Sequence, residues 1–378
     1  MDILNPSTYW VGKRCYRVLT HHVEASHINY AEEDEYYDEA TADSEACEEE
    51  ASEASEFPID RLQSGLYRTA WHVPSAFYAY LIGRKGDTRR RLEAETQSNI
   101  SIPQRGAGAT EDIVVTGQSV AKVRAGRLKV ALLVEQARQK CSPTHFVSIP
   151  ATAPNIQERF LQFQREVLEV CGGSLGVQEA LFQKSAKLHL TVGVMALMDD
   201  SERRHAVQAF TRAVQESARD LPDGVLKLRL KGLHYFTDDP HSVRVLYAGL
   251  RACEPSDDFP RPHLPQQLQN LVDNIANLMI KDGVMRKNAG SVTLHMTVMN
   301  VSFLDRDEGE APSQQPGVPH QARTEGFDAS HILEKFGDYD FGDLEIKEVH
   351  LSLLHSEDPE TGYYVTSARL PLAGLQLP

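Results

Sequence analysis

Two stretches of the sequence, KLHLTVGV at residues 187–194 and VTLHMTVM at residues 292–299, share one pattern. In each, apolar residues alternate with a histidine and a threonine. Successive side chains of a strand point to opposite faces, so His-x-Thr places an imidazole and a hydroxyl side by side and leaves the other face apolar. We therefore predict two strands, each apolar on one face and reactive on the other, through His189 and Thr191 in the first and His295 and Thr297 in the second.

The repetition of the triplet makes it informative. In a chain of 378 residues with 15 histidines, about one His-x-Thr triplet is expected by chance, so a single match would mean little. Two matches inside equally patterned apolar strands are far less expected. A lone histidine in such a strand would more often be a buried structural residue.

Cleavage of a phosphodiester suits this pair of motifs. The reaction needs a base on the attacking oxygen and an acid on the leaving oxygen. Imidazole is the side chain of which one copy is neutral and another protonated near pH 7. Threonine hydroxyls donate hydrogen bonds to phosphate oxygens. No H-x-E, H-x-H or D-x-D ligand cluster lies in either motif strand to suggest a metal there, so we expect neither a metal nor any other cofactor.

Residues 143–378 resemble the two-histidine phosphoesterase superfamily, in which two related lobes each give one His-x-Thr strand to a central cleft. Its members include RNA 2′,3′-cyclic phosphodiesterases and 2′,5′-phosphodiesterases. The resemblance implies that His189 and His295 form the acid/base pair and that Thr191 and Thr297 bind phosphate. Which histidine is the acid stays open.

Two further histidines in this region favour a structural interpretation. His350 and Ser352 in KEVHLSLL repeat the motif loosely, and we place them on a neighbouring strand of the same sheet rather than in a third catalytic pair. His145 in THFVSIP is expected on the first strand of the domain as a structural residue.

Towards the N-terminus, residues 65–140 predict strands and helices in the order β-α-α-β-β-α, with GRKG between the two short helices. Glycines let backbone N–H groups approach a phosphate closely, because glycine has no Cβ. Arg84 and Lys85 between the glycines, and three arginines after them, add positive charge. We expect Asp87 to cap the second helix and Ser119 to open the last one, which ends near Gln139.

This arrangement resembles the K-homology (KH) domain, whose G-x-x-G loop clamps the backbone of about four single-stranded nucleotides. The resemblance implies a set of RNA-binding residues: Ile82, Gly83, Arg84, Lys85, Gly86, Arg89, Arg90 and Arg91. Arg89 stands where KH domains usually have isoleucine, which predicts a more polar groove, while Leu92 continues the apolar stripe. A KH fold that only packs against protein partners is the alternative, and the two cations in the loop argue against it.

The net charge of −15 is unevenly distributed. Residues 31–57 hold 13 acidic side chains and no basic one, and residues 58–140 hold 14 basic against 7 acidic side chains. The basic segment is where a polyanion would bind. We interpret the acidic tract as disordered: a solubilising linker, a partner-binding segment or a competitor for the basic domain.

Several protein classes are excluded. No apolar run has the length of a membrane helix, so we expect no membrane association. The first residues lack the pattern of a signal peptide. The five cysteines include no C-x-x-C pair, which indicates neither a disulfide framework nor a zinc site. We expect an intracellular protein.

We therefore predict an α+β protein: a type I KH domain (β-α-α-β-β-α) followed by a two-lobed two-histidine phosphoesterase-like domain. A possible strand or docking segment occupies residues 1–30 and the acidic linker residues 31–57. The KH domain covers residues 58–142 and the phosphoesterase-like domain residues 143–378. A polar insertion is predicted at residues 305–326 and a short loop at residues 104–110.

This combination, with the tract at residues 327–354 and YWVGKRCYRVL near the N-terminus, resembles a family of nuclear subunits of a transcription-coactivator complex. The resemblance implies nuclear localisation, a helicase among the partners and a link to the repair of alkylation damage. Three functions stay open: a subunit that binds single-stranded RNA and holds a phosphate or RNA end without turnover, an active RNA phosphodiesterase supplied by the KH domain, or a scaffold for protein contacts.

Overall fold

A computed structural model describes residues 8–11, 14–17, 57–103, 112–220, 226–252, 266–286, 290–306 and 326–372. The acidic tract up to residue 56, the loop at residues 104–110 and most of the insertion at residues 305–326 lie outside the described residues. Near the N-terminus, strands β1 (Thr8–Val11) and β2 (Arg14–Arg17) pair with each other in antiparallel fashion. The predicted docking role of this segment stays a prediction.

The basic segment folds around a small antiparallel sheet. Its elements are β3 (Asp60–Arg61), β4 (Tyr67–Trp71), α1 (Tyr78–Ile82), α2 (Asp87–Thr96), β5 (Asn99–Ser101), β6 (Ile113–Gly117) and α3 (Val120–Gln139). The strands lie in the order β3-β4-β6-β5. Apolar side chains of the three helices and of the sheet form one buried cluster, which includes Phe77, Leu81, Leu92, Val115 and Val123. Leu92 is buried, so the predicted apolar stripe holds despite the arginine at position 89.

The helix starts in this segment follow one prediction and correct another. Helix α3 starts where predicted, and the Ser119 hydroxyl accepts the backbone N–H of Lys122 as its cap. Asp87 does not cap α2, because Gly86 in the left-handed conformation occupies the cap position and Asp87 is the first helical residue. The Asp87 carboxylate instead accepts a hydrogen bond from Arg90 at 2.6 Å, one turn further along the helix.

The second body is built on a sheet of eight strands among the described residues. It begins with β7 (His145–Pro150), α4 (Pro154–Cys171), β8 (His189–Met195), α5 (Asp200–Ser217), β9 (Leu226–Tyr235) and β10 (Val245–Ala252). It continues with α6 (Gln266–Lys281), β11 (Met296–Asn300), α7 (Ser330–Phe336), β12 (Asp340–Ile346), β13 (Glu348–Leu353) and β14 (Thr366–Pro371). The strand order is β12-β9-β10-β11-β8-β7-β13-β14, and neighbouring strands pair in antiparallel fashion.

The two predicted His-x-Thr strands, β8 and β11, are neighbours at the centre of this sheet, where Leu190 lies opposite Met296. The apolar residues between and beside the motif residues are buried and join one large core with the helices. Helix α4 contributes to this core because Ile156, Phe160 and Phe163 recur at helical spacing on its buried face. Burial of one sheet face against helices leaves the other face to the histidines and threonines.

The C-terminal part differs from the elements that the sequence predicts. The apolar pattern of LEIKEVHLSLL predicts a single strand, but this stretch forms the end of β12 and all of β13, with Lys347 between them. The two strands lie far apart in the sheet order, so the chain changes partners at this residue. Helix α7 and strand β14 have no counterpart among the predicted elements. None of the helices in the described part of the chain has the length and apolar character needed to cross a membrane.

The two bodies contact each other through the C-terminal end of α3 and the N-terminal end of α5. The Arg138 guanidinium makes a two-pronged ion pair with Glu202 and donates to the carbonyl of Ala196 at 2.5 Å. His72 lies 2.7 Å from the carboxylate of Asp199. The side chains of Arg138 and Glu202 are only 15% and 16% exposed, so water screens this pair little.

This interface predicts the effect of one substitution. Glu202→Ala leaves the Arg138 guanidinium largely buried without its carboxylate partner. We expect the free energy of unfolding to fall by about 1–3 kcal/mol, the cost of leaving a buried polar group unpaired. Thermal and urea unfolding of the full chain measure the change. Limited proteolysis between residues 139 and 145 should also become faster.

The matched control is Arg203→Ala on the same helix, which removes a surface ion pair with Asp200 whose side chains are 43% and 80% exposed. An exposed pair contributes about 0–1 kcal/mol, so this variant should unfold close to the wild type. Equal losses in the two variants would contradict a stabilising role for the interface.

Candidate active site and nucleic-acid interface

The central strand pair brings the four predicted catalytic residues together. Because β8 and β11 are antiparallel with Leu190 opposite Met296, His189 lies beside Thr297, and Thr191 lies beside His295. His295 directly precedes the first residue of β11, and the other three side chains lie within the strands. The two motifs are thus related by an approximate two-fold axis between the strands.

Each imidazole is oriented by the same backbone contact. Nδ1 of His189 lies 2.7 Å from the carbonyl oxygen of Lys187, and Nδ1 of His295 lies 2.9 Å from that of Thr293. A carbonyl only accepts, so Nδ1 carries the proton in both rings. A neutral ring of this tautomer has its lone pair on Nε2, the atom that exchanges protons with a substrate.

The two histidines differ in burial. His295 is 9% exposed, and burial lowers its pKa below the usual value of 6.5, while its bond to the Thr293 carbonyl acts in the opposite direction. His189 is half-buried. The neutral form of His295 is therefore favoured at pH 7, which suits a base.

Aromatic rings surround both imidazoles but differ between the two sides. The ring of His189 contacts Phe146 and Tyr364, with centroids 5.0 and 5.4 Å away, and both of these aromatic residues are buried. The ring of His295 contacts Phe236 and Tyr247 at 5.1 and 5.0 Å. The last two rings stack on each other at 4.6 Å and are only half-buried. The His295 side therefore presents an accessible aromatic surface.

His145 and His350 lie on strands close to the motif strand, as expected for structural residues. His145 in β7 is 1% exposed, its Nδ1 lies 2.8 Å from the Thr144 hydroxyl, and burial lowers its pKa to about 4. His350 in β13 lies two strands from β8, and its Nε2 is 2.9 Å from Glu348. Burial lowers the pKa of His350, and the Glu348 carboxylate opposes that shift. Ser352, on the same strand, is fully buried.

The glycine loop of the smaller body lies between α1 and α2, as predicted. Gly83, Lys85 and Gly86 all have positive φ values, of 69°, 53° and 82°. A Cβ on Gly83 would lie 2.1 Å from the Thr88 hydroxyl oxygen, so no other residue fits there without movement. At Gly86 a Cβ would meet no atom within 4 Å, so this position needs glycine only for its backbone conformation.

The predicted RNA-binding residues divide into two groups. Ile82, Arg84, Lys85 and Arg89 have exposed side chains on the loop and on the first turn of α2. Arg90 instead donates to the Lys85 carbonyl at 3.0 Å, which holds the loop in shape. Arg91, also exposed, approaches Glu95 at 3.9 Å. The direct cations of the loop are therefore Arg84, Lys85 and Arg89, with Arg90 as a positioning residue.

No group of three or more metal-ligating side chains is found among the described residues. Each motif histidine bonds at Nδ1 to a backbone carbonyl. Proton transfer and hydrogen bonding are the chemistry that these side chains supply.

Comparison with known proteins matches a family model to each half of the chain. The family model of the AKAP7 2'5' RNA ligase-like domain matches residues 143–372, and the KH domain model matches residues 69–131. Activating signal cointegrator 1 complex subunit 1 of Mus musculus is 31% identical over 368 residues, which are 96% of this chain and 98% of the mouse protein. The chain belongs to this protein's family. The family resemblance inferred from the sequence is thus confirmed, and so is the predicted fold class.

Solved structures cover each half of this family member separately. A phosphoesterase crystal structure matches 61% of this chain and 99% of its own, at 15% identity and a TM-score of 0.34. The E. coli LigT complex with NADP+ matches 62% and 99%, at 14% identity and a TM-score of 0.34. The first KH type I domain of human Vigilin matches 25% and 97%, at 24% identity and a TM-score of 0.20.

The structure adds site residues to the set predicted for this family member. Tyr80 on α1 is 49% exposed near the glycine loop, where an aromatic ring suits base stacking. Phe236, which directly follows β9, and Tyr247 on β10 lie on the His295 side. Neither residue is close to His295 in the sequence, so only the pairing of the strands shows that they lie beside it. Lys187, whose carbonyl orients His189, is a further added residue. Unlike the two aromatic residues, it is close to its histidine in the sequence, two positions before His189 in KLHLT.

The loop geometry predicts how charge reversal affects RNA binding. Changing Arg84 and Lys85 to Asp removes two exposed cations without touching the buried cluster. We expect weaker binding of a single-stranded RNA and a shallower salt dependence, with the slope smaller by about 0.7 for each phosphate that is no longer neutralised. Fluorescence anisotropy across a salt series measures both quantities.

The control reverses two other exposed cations, Arg61 on the edge strand β3 and Lys140 after α3, for the same change in net charge. This variant should bind more nearly like the wild type. Equal losses in the two variants would assign the effect to overall charge and remove the loop from the site.

Proposed function

We propose that this protein is an RNA-binding subunit of a nuclear transcription-coactivator and alkylation-repair complex. Its KH loop binds single-stranded RNA, and its two-histidine cleft holds an RNA phosphate or an RNA end. The observation that carries the proposal is the paired geometry of the cleft. Two imidazoles with the same tautomer lie on adjacent central strands, each beside the threonine of the other motif.

This arrangement suits a phosphate group. Two half-buried threonine hydroxyls point from the same sheet face as the two imidazoles, so hydroxyl donors reach a tetrahedral anion from both sides of the two-fold axis, and an imidazole adds a donor at Nε2 when it is protonated. At Nδ1 each imidazole is bonded to a backbone carbonyl rather than to a carboxylate. Because these bonds bring no negative charge to the rings, the site favours an anionic ligand.

The glycine loop supports binding of RNA rather than only of a small phosphate. Arg84, Lys85 and Arg89 are exposed around backbone that only glycine adopts easily at both ends. Tyr80 adds a ring on the adjacent helix. Charge for the backbone and a ring for a base are the two elements of single-strand recognition.

Membership of a complex comes from the relative's name. The mouse protein is named as subunit 1 of the activating signal cointegrator 1 complex, and we propose the same assembly for this chain. The nuclear location, the helicase partner and the role in alkylation repair belong to this proposal. Co-purification of the full chain from nuclei, with identification of a helicase by mass spectrometry, tests them.

A second candidate is an active, metal-independent RNA phosphodiesterase for 2′,3′-cyclic or 2′,5′ linkages, with the KH domain delivering the substrate. The lowered pKa of His295 favours it, because a neutral imidazole on one side and a more exposed one on the other match a base and an acid. In this mechanism Nε2 of His295 takes the proton from the attacking oxygen. His189 donates a proton from Nε2 to the leaving oxygen, and the threonines hold the phosphate oxygens.

Cleavage of 2′,3′-cyclic and 2′,5′-linked oligonucleotides separates the two candidates. If the cleft is catalytic, His189→Ala or His295→Ala should each lower the rate by at least about 10²-fold, since each removes a proton transfer. The double variant should lose little more than the worse single one, because the two act as a unit. Activity should survive EDTA.

The pH profile should be a bell with a shifted acidic limb. Activity falls at low pH as His295 gains a proton, and the pKa of that limb should lie below 6.5 because the folded-state pKa of His295 is lowered. Activity falls at high pH as His189 loses its proton. An acidic limb above 6.5, or one that His295→Ala leaves unchanged, would contradict the assignment of the base.

Thr191→Val and Thr297→Val are the matched isosteric variants for phosphate binding. They should raise the dissociation constant for nucleotide while the unfolding midpoint stays near that of the wild type. If the wild type cleaves neither substrate yet binds nucleotide in a histidine-dependent way, the cleft is a binding site. If it does neither, the scaffold function remains.

A further inference from the structure

The loop between β13 and β14 places a carboxylate on two lysines beside the first histidine motif. The Glu357 carboxylate lies 3.1 Å from Nζ of Lys184 and 3.0 Å from Nζ of Lys187. Nζ of Lys187 also donates to the carbonyl of Ser356 at 2.9 Å. Hydrogen bonds from the two lysines, with Lys187 first, lower the pKa of Glu357, so the acid is charged at neutral pH.

This lysine pair is part of the His189 side of the cleft. The carbonyl of Lys187 is the oxygen that orients Nδ1 of His189. Nζ of Lys187 lies 5.2 Å from the ring centre of Tyr364, and the ring of His189 lies 5.4 Å from the same ring. One tyrosine thus contacts both groups, so a single RNA chain can reach both.

Lys187 is an unusual cation because its side chain is only 12% exposed. The side chain of Lys184 is 67% exposed and that of Glu357 51% exposed. A charge with so little contact with water requires an anionic or dipolar partner. Its anionic partner in this structure is the half-exposed loop residue Glu357, which a competing anion can approach from solvent.

Hydrogen bonds of residues other than Glu357 also hold this loop. The Asp358 carboxylate accepts the backbone N–H groups of Glu360 and Thr361 and the hydroxyl of Thr361. The Ser356 hydroxyl donates to Leu353 on β13. Glu357 is therefore directed at the lysines by a structured turn, and its ion pairs are not needed to form that turn.

The second motif has no cation at the position equivalent to Lys187. The residue two positions before His295 is Thr293, where the first motif has Lys187. The His295 side instead carries the half-buried stack of Phe236 and Tyr247. The approximate two-fold symmetry of the cleft is thus broken, with a lysine pair on the His189 side and half-buried aromatic rings on the His295 side.

We propose that Lys184 and Lys187 bind a second phosphate of the RNA chain, next to the phosphate held by the histidines, and that Glu357 occupies this site until RNA displaces it. The proposal rests on the proposed function, since it extends the same cleft. A carboxylate supplies the same negative charge and oxygen acceptors as a phosphate, which makes the exchange of one for the other chemically direct. The site favours RNA with a phosphate beyond the one at the histidines.

Equilibrium binding of dinucleotides to the full chain tests this site. A dinucleotide is shorter than the roughly four nucleotides that a KH loop clamps, so the cleft dominates its binding. The probes are one dinucleotide without a terminal phosphate, one with a 5′-phosphate and one with a 3′-phosphate. At least one phosphorylated form should bind more tightly than the unphosphorylated form.

Glu357→Gln removes the competitor and should strengthen binding of that phosphorylated dinucleotide by about 2–5-fold, the range of an exposed ion pair. Lys187→Gln and Lys184→Gln should each reduce the preference for the terminal phosphate, and Lys184 is exposed enough that its substitution leaves the fold intact. The matched control is Glu360→Gln in the same loop, whose exposed side chain makes no ion pair among the described residues. It should behave as the wild type.

The outcomes separate the second phosphate site from the histidine site. If no dinucleotide binds in a manner that depends on His189 and His295, the proposed function of the cleft fails and this site fails with it. If the dinucleotides bind but the terminal phosphate adds nothing, or Glu357→Gln and Glu360→Gln behave alike, the second phosphate site is wrong and the histidine site stands.

Discussion

The burial of one face of two central strands is the constraint on which the rest of this molecule depends. Leu190 and Met296 lie opposite each other with no exposed surface, so a shift of either strand by one residue would turn the histidines into the core. The strand pairing that forms the core also aligns the two motifs. The alternation of apolar residues in the sequence is therefore enough to predict the site.

This constraint also decides how much the sequence revealed. The alternation predicted both motif strands, and the G-x-x-G with its flanking pattern predicted the smaller body. The break at Lys347 was not predictable, because apolar residues continue on both sides of it and only the distant strand partners differ. The same holds for Phe236 and Tyr247, whose place beside His295 depends on the register between β10 and β11. Local patterns predict local structure, and long-range register has no local signature.

The two His-x-Thr motifs are related by approximate two-fold symmetry, but their neighbouring side chains differ, so the two ends of the cleft are not equivalent. Each imidazole donates its Nδ1 proton to a backbone carbonyl two residues earlier, so the two rings are oriented in the same way. The surroundings of the two rings differ. Burial favours neutral His295, whereas the less buried His189 shares its neighbour Tyr364 with the Nζ of Lys187. A symmetric site would bind a phosphodiester in either direction, whereas the proposed site, with a lysine pair on one side and half-buried aromatic rings on the other, distinguishes the phosphate end of a nucleotide from its base end.

In the proposed function, the contact between the two bodies limits how one RNA chain reaches both the loop and the cleft. Helix α3 ends at Gln139 and β7 begins at His145, so the connection is short, and Arg138 ties it to Ala196 and Glu202. Ala196 directly follows β8, which begins at His189, and seven strand residues span roughly 20 Å. The interface is thus at the end of β8 remote from the cleft. A contact at that end means that the path proposed for RNA between loop and cleft runs over folded structure. In the proposed function, only an RNA long enough to span both sites occupies them together. Shorter fragments report on each site alone.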